Sequence, residues 1–337
     1  MKKLTAQPVA IGAAALLAAA TLTVSTAQSA DYTMKIGFAT FKDVQHQWSN
    51  WMKEEIEKKT NGKIAVNIFP KSQLGAIPRQ IDGVRLGTQQ GFVAPTDFFS
   101  GIDPRFGVFS IPVMFKDKLH AAKVIADPDL NKDILSLGGD KGMENAAVFT
   151  HSTAHYLAKN PITRLDDFKG KKFRVNATAA EREKMRRFGA SAVPMPLSEV
   201  VPALQRGVVD GTQSGTVVYV VFKFNRISKV LTRTDDTLII SSAVLSKSWL
   251  KQLPADLRKI VVDTGRSLQA KSSAFSHKSE NFMISKWKEA GGTLTSLPAG
   301  DLSKIRTLLA DVGETVTKGN PSVHAFFRKV KATGANY

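Results

Sequence analysis

Between Pro161 and Gly215 the spacing of apolar positions changes repeatedly, and each change marks an element. Phe173 and Val175 alternate with Arg174, the two-residue repeat of a strand, so the arginine points away from its apolar neighbours. NATAAEREKMRRFG then reads as a helix that stops at Gly189, a residue suited to a left-handed helix end. ASAVPMP is a second extended piece. The next helix covers SEVVPALQRG, with Ser198 placed to cap it, Pro202 expected in its first turn and Gly207 as its stop. VVDG enters another strand. Two strand–helix units in succession predict parallel strands, which need a crossover connection.

The N-terminal half repeats the theme. MKIGFAT is a strand. Trp48, Trp51, Met52 and Ile56 recur at helical spacing, which predicts a core-facing helix closed by TNG. KIAVNIF, a helix around PRQIDGVRLG and the strand GFVAPTDFF follow. At 337 residues the chain is long for one core, so two α/β domains are expected.

In open α/β sheets, ligands sit beyond the carboxyl ends of strands, near helix N-termini. Arg174, Asn176, Gln213 and Ser214 fall at such ends in the second half. Thr96 ends the third strand, and Asp43 and His46 lie between the first strand and its helix. Arg174 reads either as a solvated arginine on an edge strand or as an anion holder. Asp43 serves equally as a helix N-cap, and His46 could read a hydroxyl or amine. Arg79, early in its helix, is a candidate second anion contact or a solvated arginine. Tyr219 could wall a cleft or belong to the core. His151 and His155 form an i, i+4 pair in an extended piece, where that spacing does not build a metal site, and no third ligand is suitably spaced.

Net charge is +18, a balance that raises nucleic acid as a partner. The basic residues are dispersed, without aromatic interleaving, so anionic ligands or an acidic partner fit better. There is no cysteine, which excludes disulfides and thiolate chemistry. No nucleophile elbow, P-loop or dinucleotide fingerprint occurs, and no cofactor is expected. Lys2 and Lys3 precede an apolar run from Val9 to Leu22, followed by small residues up to Ala30. This is the pattern of a cleaved signal peptide, too short to span a bilayer.

PITRLDDFKGKKFRV and GASAVPMPLSEVVPALQRGVVDG resemble the hallmark of substrate-binding proteins of tripartite ATP-independent periplasmic (TRAP) transporters, the C4-dicarboxylate-binding kind. TNGKIAVNIFPKSQLG and FGVFSIPVMFKDKLHA resemble two further segments of that family. The resemblance implies a two-domain periplasmic-binding-protein fold with an interdomain cleft and chain crossovers. Residues 1–30 would be the leader, 31–152 with about 240–280 one domain, and 153–239 with about 281–337 the other. It implies a periplasmic, monomeric, non-enzymatic receptor that hands a small organic acid to membrane permease subunits. In it, Arg174 would make a bidentate salt bridge to the ligand carboxylate, a match that suits the guanidinium fork.

Two departures qualify the ligand. Where most members read Q-E-N-P, this chain has Thr212, Gln213, Ser214 and Gly215, so Ser214 replaces an asparagine. The stretch HSTAHYLAKNPI lacks the family's second arginine, and His155 lies where it is common. These favour a monocarboxylate. A dicarboxylate or sugar-acid receptor of the same family, a partner of a membrane sensor and a secreted enzyme are the alternatives.

Overall fold

Two long antiparallel strands tie the molecule together in this computed structural model, which describes residues 3, 30–176 and 178–337. Apart from Lys3 and Ala30, the expected leader lies outside the described residues. The first half alternates strand and helix through β1 (Tyr32–Phe38), α1 (Val44–Lys59), β2 (Ile64–Phe69), α2 (Ile77–Leu86) and β3 (Gly91–Pro95). Helices α3 (Lys118–Ala126) and α4 (Pro128–Ser136) lead into β4 (Met143–Ala158). The second half continues with β5 (Lys172–Val175), α5 (Ala179–Arg187), β6 (Ser191–Pro194), α6 (Leu197–Arg206), β7 (Gly211–Gly215) and α7 (Thr216–Val221). The chain returns along β8 (Val230–Ser246) to α8 (Lys247–Leu250), α9 (Ala255–Ser267) and α10 (Gln269–Glu289). It ends with β9 (Thr293–Ser296), α11 (Ala299–Leu309), α12 (Val312–Thr317) and α13 (Pro321–Gly334).

The sheet order is β2-β1-β3-β8-β4-β7-β5-β6, with β9 beside β8. β1 is parallel to β2 and β3, and β5 is parallel to β6 and β7, as the strand–helix units require. Between these parallel halves, β8 and β4 pair antiparallel to each other and to β3 and β7. Register breaks near Ala146, His151 and Ala154 bend β4 where it crosses from one half to the other. Trp48, Met52 and Ile56 of α1 are fully buried beside Phe149 and Val261, so this face belongs to the core.

Several local expectations are corrected. Helix α5 begins at Ala179, later than the sequence suggests, because Thr178 caps it and shares a capping box with Glu181. Ser198 does not cap α6: Pro196 holds the cap position without a side-chain bond. Pro202 lies inside α6, beyond the first turn. The helix tolerates it because Leu197, Val200, Ala203 and Leu204 bury one face. Among the C-terminal helices, α11 and α12 pack on α5 of the second half, whereas α13 packs on α3 and α4 of the first.

Gly211, in the VVDG turn, is required by space. A Cβ there would meet Phe173 Cε1 at 2.4 Å and the Leu157 carbonyl oxygen at 2.9 Å. Gly211→Ala should destabilise the protein by about 1–3 kcal/mol, read from the urea midpoint. An unchanged midpoint would contradict this packing.

Candidate functional site

Arg174 sits in the middle of a sheet. Its strand, β5, is flanked by β6, where Arg174 pairs with Val193, and by β7, where it pairs with Thr212. This removes the edge-strand alternative. The residue is only 1% exposed. Its Nε donates to the Met195 carbonyl at 3.1 Å, and its guanidinium carbon lies 6.0 Å from the Phe98 ring centre. Nη2 is buried without a partner among the described residues. Burial pulls its pKa down to about 10, against the opposing pull of Glu181, so it stays charged at neutral pH.

A cavity of about 50 Å³ lies against this guanidinium. Asn176, Gln213 and Ser214 line it from the second half, and Thr40, Gln45 and His151 from the first. The Gln213 amide has a fixed orientation. Its Oε1 accepts from Lys184 Nζ at 2.7 Å, which turns Nε2 outward, and Nε2 is buried without a partner. Lysine can only donate, so the opposite amide orientation would set two donors face to face. An open arginine nitrogen and an open amide N–H in one cavity suit an oxygen anion.

Two carboxyl groups share the cavity wall. Asp97 Oδ2 accepts from Asn176 Nδ2 at 3.1 Å. Glu181 accepts from the backbone N–H of Asn176 and Thr178 and from the Thr178 hydroxyl. Burial, with Glu181 adding to it, raises the Asp97 pKa to about 7. Opposite, Asp43 Oδ2 lies 2.9 Å from His151 Nε2, at an approach too bent for a straight hydrogen bond but close enough to pair charge. Burial pushes the Asp43 carboxyl up, but His151, Thr40 and the His46 N–H hold it below its ordinary range.

Of the ten residues singled out from sequence, Arg174, Asn176, Gln213 and Ser214 come together at the cavity. The other six do not line it. Asp43 is the α1 N-cap and stands behind Thr40 and His151. His46 stacks on Phe41 at 4.9 Å on an outward groove. Thr96 is buried beside Asp97. Arg79 is exposed on α2. Tyr219 is core: its hydroxyl donates to the carbonyls of His155 and Thr212, and its ring packs on Phe224 and Trp287. His155 is buried with both ring nitrogens unpartnered, and burial lowers its pKa to about 4. The register break between Thr153 and His155 flips the strand's faces there, so His151 reaches the cavity and His155 does not.

Sequence reasoning missed Asp97 and the buried Lys184. Lys184 Nζ lies 2.9 Å from Asp236 Oδ2, both side chains wholly buried, and also donates to Thr237 at 2.9 Å. A lysine four residues after Ala180, on the apolar stripe of α5, was the available signal.

A buried guanidinium with an open nitrogen, in a cavity between two α/β halves, defines a receptor for small anionic solutes. Residues 37–318 match the model of the bacterial extracellular solute-binding proteins, family 7 (DctP), and the chain belongs to that family. It is 31% identical over 206 residues to the C4-dicarboxylate-binding periplasmic protein DctP of Rhodobacter capsulatus, covering 61% of this chain and 62% of that one. It is 25% identical over 279 residues to the 2,3-diketo-L-gulonate-binding periplasmic protein YiaO of Escherichia coli, covering 82% and 85%. The fold matches a TRAP periplasmic solute-binding protein of Desulfovibrio salexigens with bound orotic acid. There the TM-score is 0.80, with 25% identity over 90% of this chain and 99% of that one.

Two predictions follow from the buried charges. Asp97, whose pKa rises from 3.8 to about 7 on folding, favours the folded state below pH 4, and that contribution is lost as pH rises through 7. Glu181, Lys184 and Arg174 are the charges that face it. Asp97→Asn should therefore unfold at a higher temperature than the parent at pH 8, with the gap closing toward pH 4; a constant gap would contradict the assignment. Lys184→Met leaves Asp236 buried and unpaired, and should cost about 3–5 kcal/mol in urea unfolding.

Proposed function

We propose that this protein is the periplasmic receptor of a TRAP-type transporter and binds a small monocarboxylate through Arg174. The observation that carries the reading is the buried guanidinium with its open Nη2. The charges around it support one carboxylate over two. Besides Arg174, the only basic side chain in the wall among the described residues is His151, while Asp97 and Glu181 are both acids. A second carboxylate held within this cavity would face those acids with no second guanidinium in its wall, Arg182 lying in a neighbouring groove. Asn176, Gln213 and Ser214 complete the head of the site.

In this reading the two halves close by hinge motion about the crossing segments of β4 and β8, excluding water and strengthening the ion pair. The receptor is monomeric, reaches the periplasm after cleavage of residues 1–30, and passes its ligand to the permease. No step of chemistry is needed. Mass spectrometry of the exported protein tests the cleavage.

The central test is binding. A ligand at a hundred times its Kd adds about 2.7 kcal/mol of stability, so a thermal-shift screen of carboxylic acids should give clear hits. Arg174→Ala should weaken the best hit by about 2–5 kcal/mol, the cost of truncating one partner of a buried charge pair. Equal binding by parent and variant in calorimetry would refute the clamp.

A further inference from the structure

The polar atoms of the cavity divide into those already bonded within the protein and those left open. On the wall from the first half, Thr40 donates to Asp43 and Gln45, and Gln45 Nε2 donates to Ser241 at 3.0 Å. His151 lies between Asp43 and Ser241, with Nδ1 3.1 Å from the Ser241 hydroxyl. Ser110 donates to the Gly107 carbonyl and to Thr178. Thr237 is held by Lys184 and Asp236. The buried atoms of the wall without a hydrogen bond are Arg174 Nη2, Asn176 Oδ1, Gln213 Nε2 and His151 Nε2, and only the last has a charged neighbour, Asp43 Oδ2 at 2.9 Å. The first three belong to β7 or to β5 and the residue following it, and these strands are neighbours in the sheet.

The rest of the wall is apolar, with Ile77, Val93, Phe98, Leu197, Val218 and Ile239. Asp97, Phe98 and Asn176 also line a neighbouring, wider groove of about 630 Å³. That groove is lined by Pro104, Val108, Ile111, Met195, Pro196 and Val323 together with Arg182, Ser100, Thr317 and Asn320, the last three already bonded to the protein's own backbone.

We infer that the ligand of this cavity is a monocarboxylic acid with an apolar body, alkyl or aromatic, and not a sugar acid. The inference rests on the Arg174–carboxylate reading and adds the class of the remainder. A sugar acid carries several hydroxyl groups. Away from the β5 and β7 end they would meet apolar side chains or polar groups already bonded, and each unpaired buried hydroxyl costs about 1–3 kcal/mol. An apolar body gains from the same wall.

Calorimetry and thermal shift with the mature protein decide it, using benzoate and 4-methylpentanoate against D-galacturonate, L-gulonate and succinate. At least one apolar acid should bind tenfold or more tightly than the other three, and Arg174→Ala should abolish that binding. Val218→Thr, which keeps the shape and adds a hydroxyl to the wall, should weaken the apolar acid severalfold. If galacturonate, gulonate or succinate binds as tightly as the apolar acids and still depends on Arg174, the apolar class is overturned while the clamp stands. If Arg174→Ala keeps the affinity of the best ligand, the clamp falls and the inference with it. If neither apolar acid shifts the Tm beyond succinate, the inference is likewise overturned.

Discussion

One guanidinium buried in the sheet without a salt-bridge partner is the constraint around which the second half is arranged. Removing a charge from water costs far more than a single carbonyl contact returns. The protein meets that cost in parts. The Met195 carbonyl takes Nε, Phe98 lies within reach of the guanidinium face, and Glu181 supplies favourable field from the first turn of α5. Glu181 does not contact Arg174 as an ion pair because its oxygens are occupied at the helix start, on the N–H groups of Asn176 and Thr178. The arginine therefore feels a negative field without losing its open nitrogen.

A second buried charge pair sets the rest of the head of the site. Lys184 reaches from α5 to Asp236 on β8, and the same ammonium orients Gln213 on β7. One side chain thus joins the helix that follows the arginine strand to a strand that crosses between the halves. On β8 this meets a strained point. Val113 has φ of +52°, an unusual value for a β-branched residue, and its N–H donates to the Asp236 carbonyl at 2.7 Å. Lys184 and Val113 hold Asp236 through its side chain and backbone respectively, so the crossing strand is fixed beside the cavity.

Much of the scaffold was legible because it follows from local rules. Gly189 and Gly207, with φ of +71° and +75°, stop the helices where the sequence places their ends. The strand–helix order yields parallel halves, and the family hallmark singles out Arg174. What was not legible depends on long-range register. His155 matches the family's arginine in sequence, but a register break in β4 sends His151 to the cavity instead. Asp97 falls within the segment read as the strand GFVAPTDFF, and only the tertiary fold sets it beside Asn176 and Glu181. Lys184 reads as one of many basic residues in α5, and only the return of β8 gives it a carboxylate. Tyr219 has the right strand end and the wrong direction: its hydroxyl is used up on two main-chain carbonyls.

The arrangement opposite Arg174 has the outline of a catalytic relay and lacks its substance. Ser241, His151 and Asp43 are joined in sequence by contacts of 3.1 and 2.9 Å. A nucleophile must be reachable, yet Ser241 is wholly buried and does not line the cavity. Its hydroxyl also accepts from Gln45 Nε2, so its lone pairs face the protein interior. The same three residues make sense as a brace. They hold Thr40, Gln45 and His151 in one wall and spend its hydrogen-bonding capacity internally. Apart from His151 Nε2, which lies beside the Asp43 carboxylate, the buried polar atoms in this wall are bonded to each other, and Arg174 Nη2 and Gln213 Nε2 lie open on neighbouring strands. A site built that way grips one end of a molecule and leaves the rest unchanged, which is the work of a receptor.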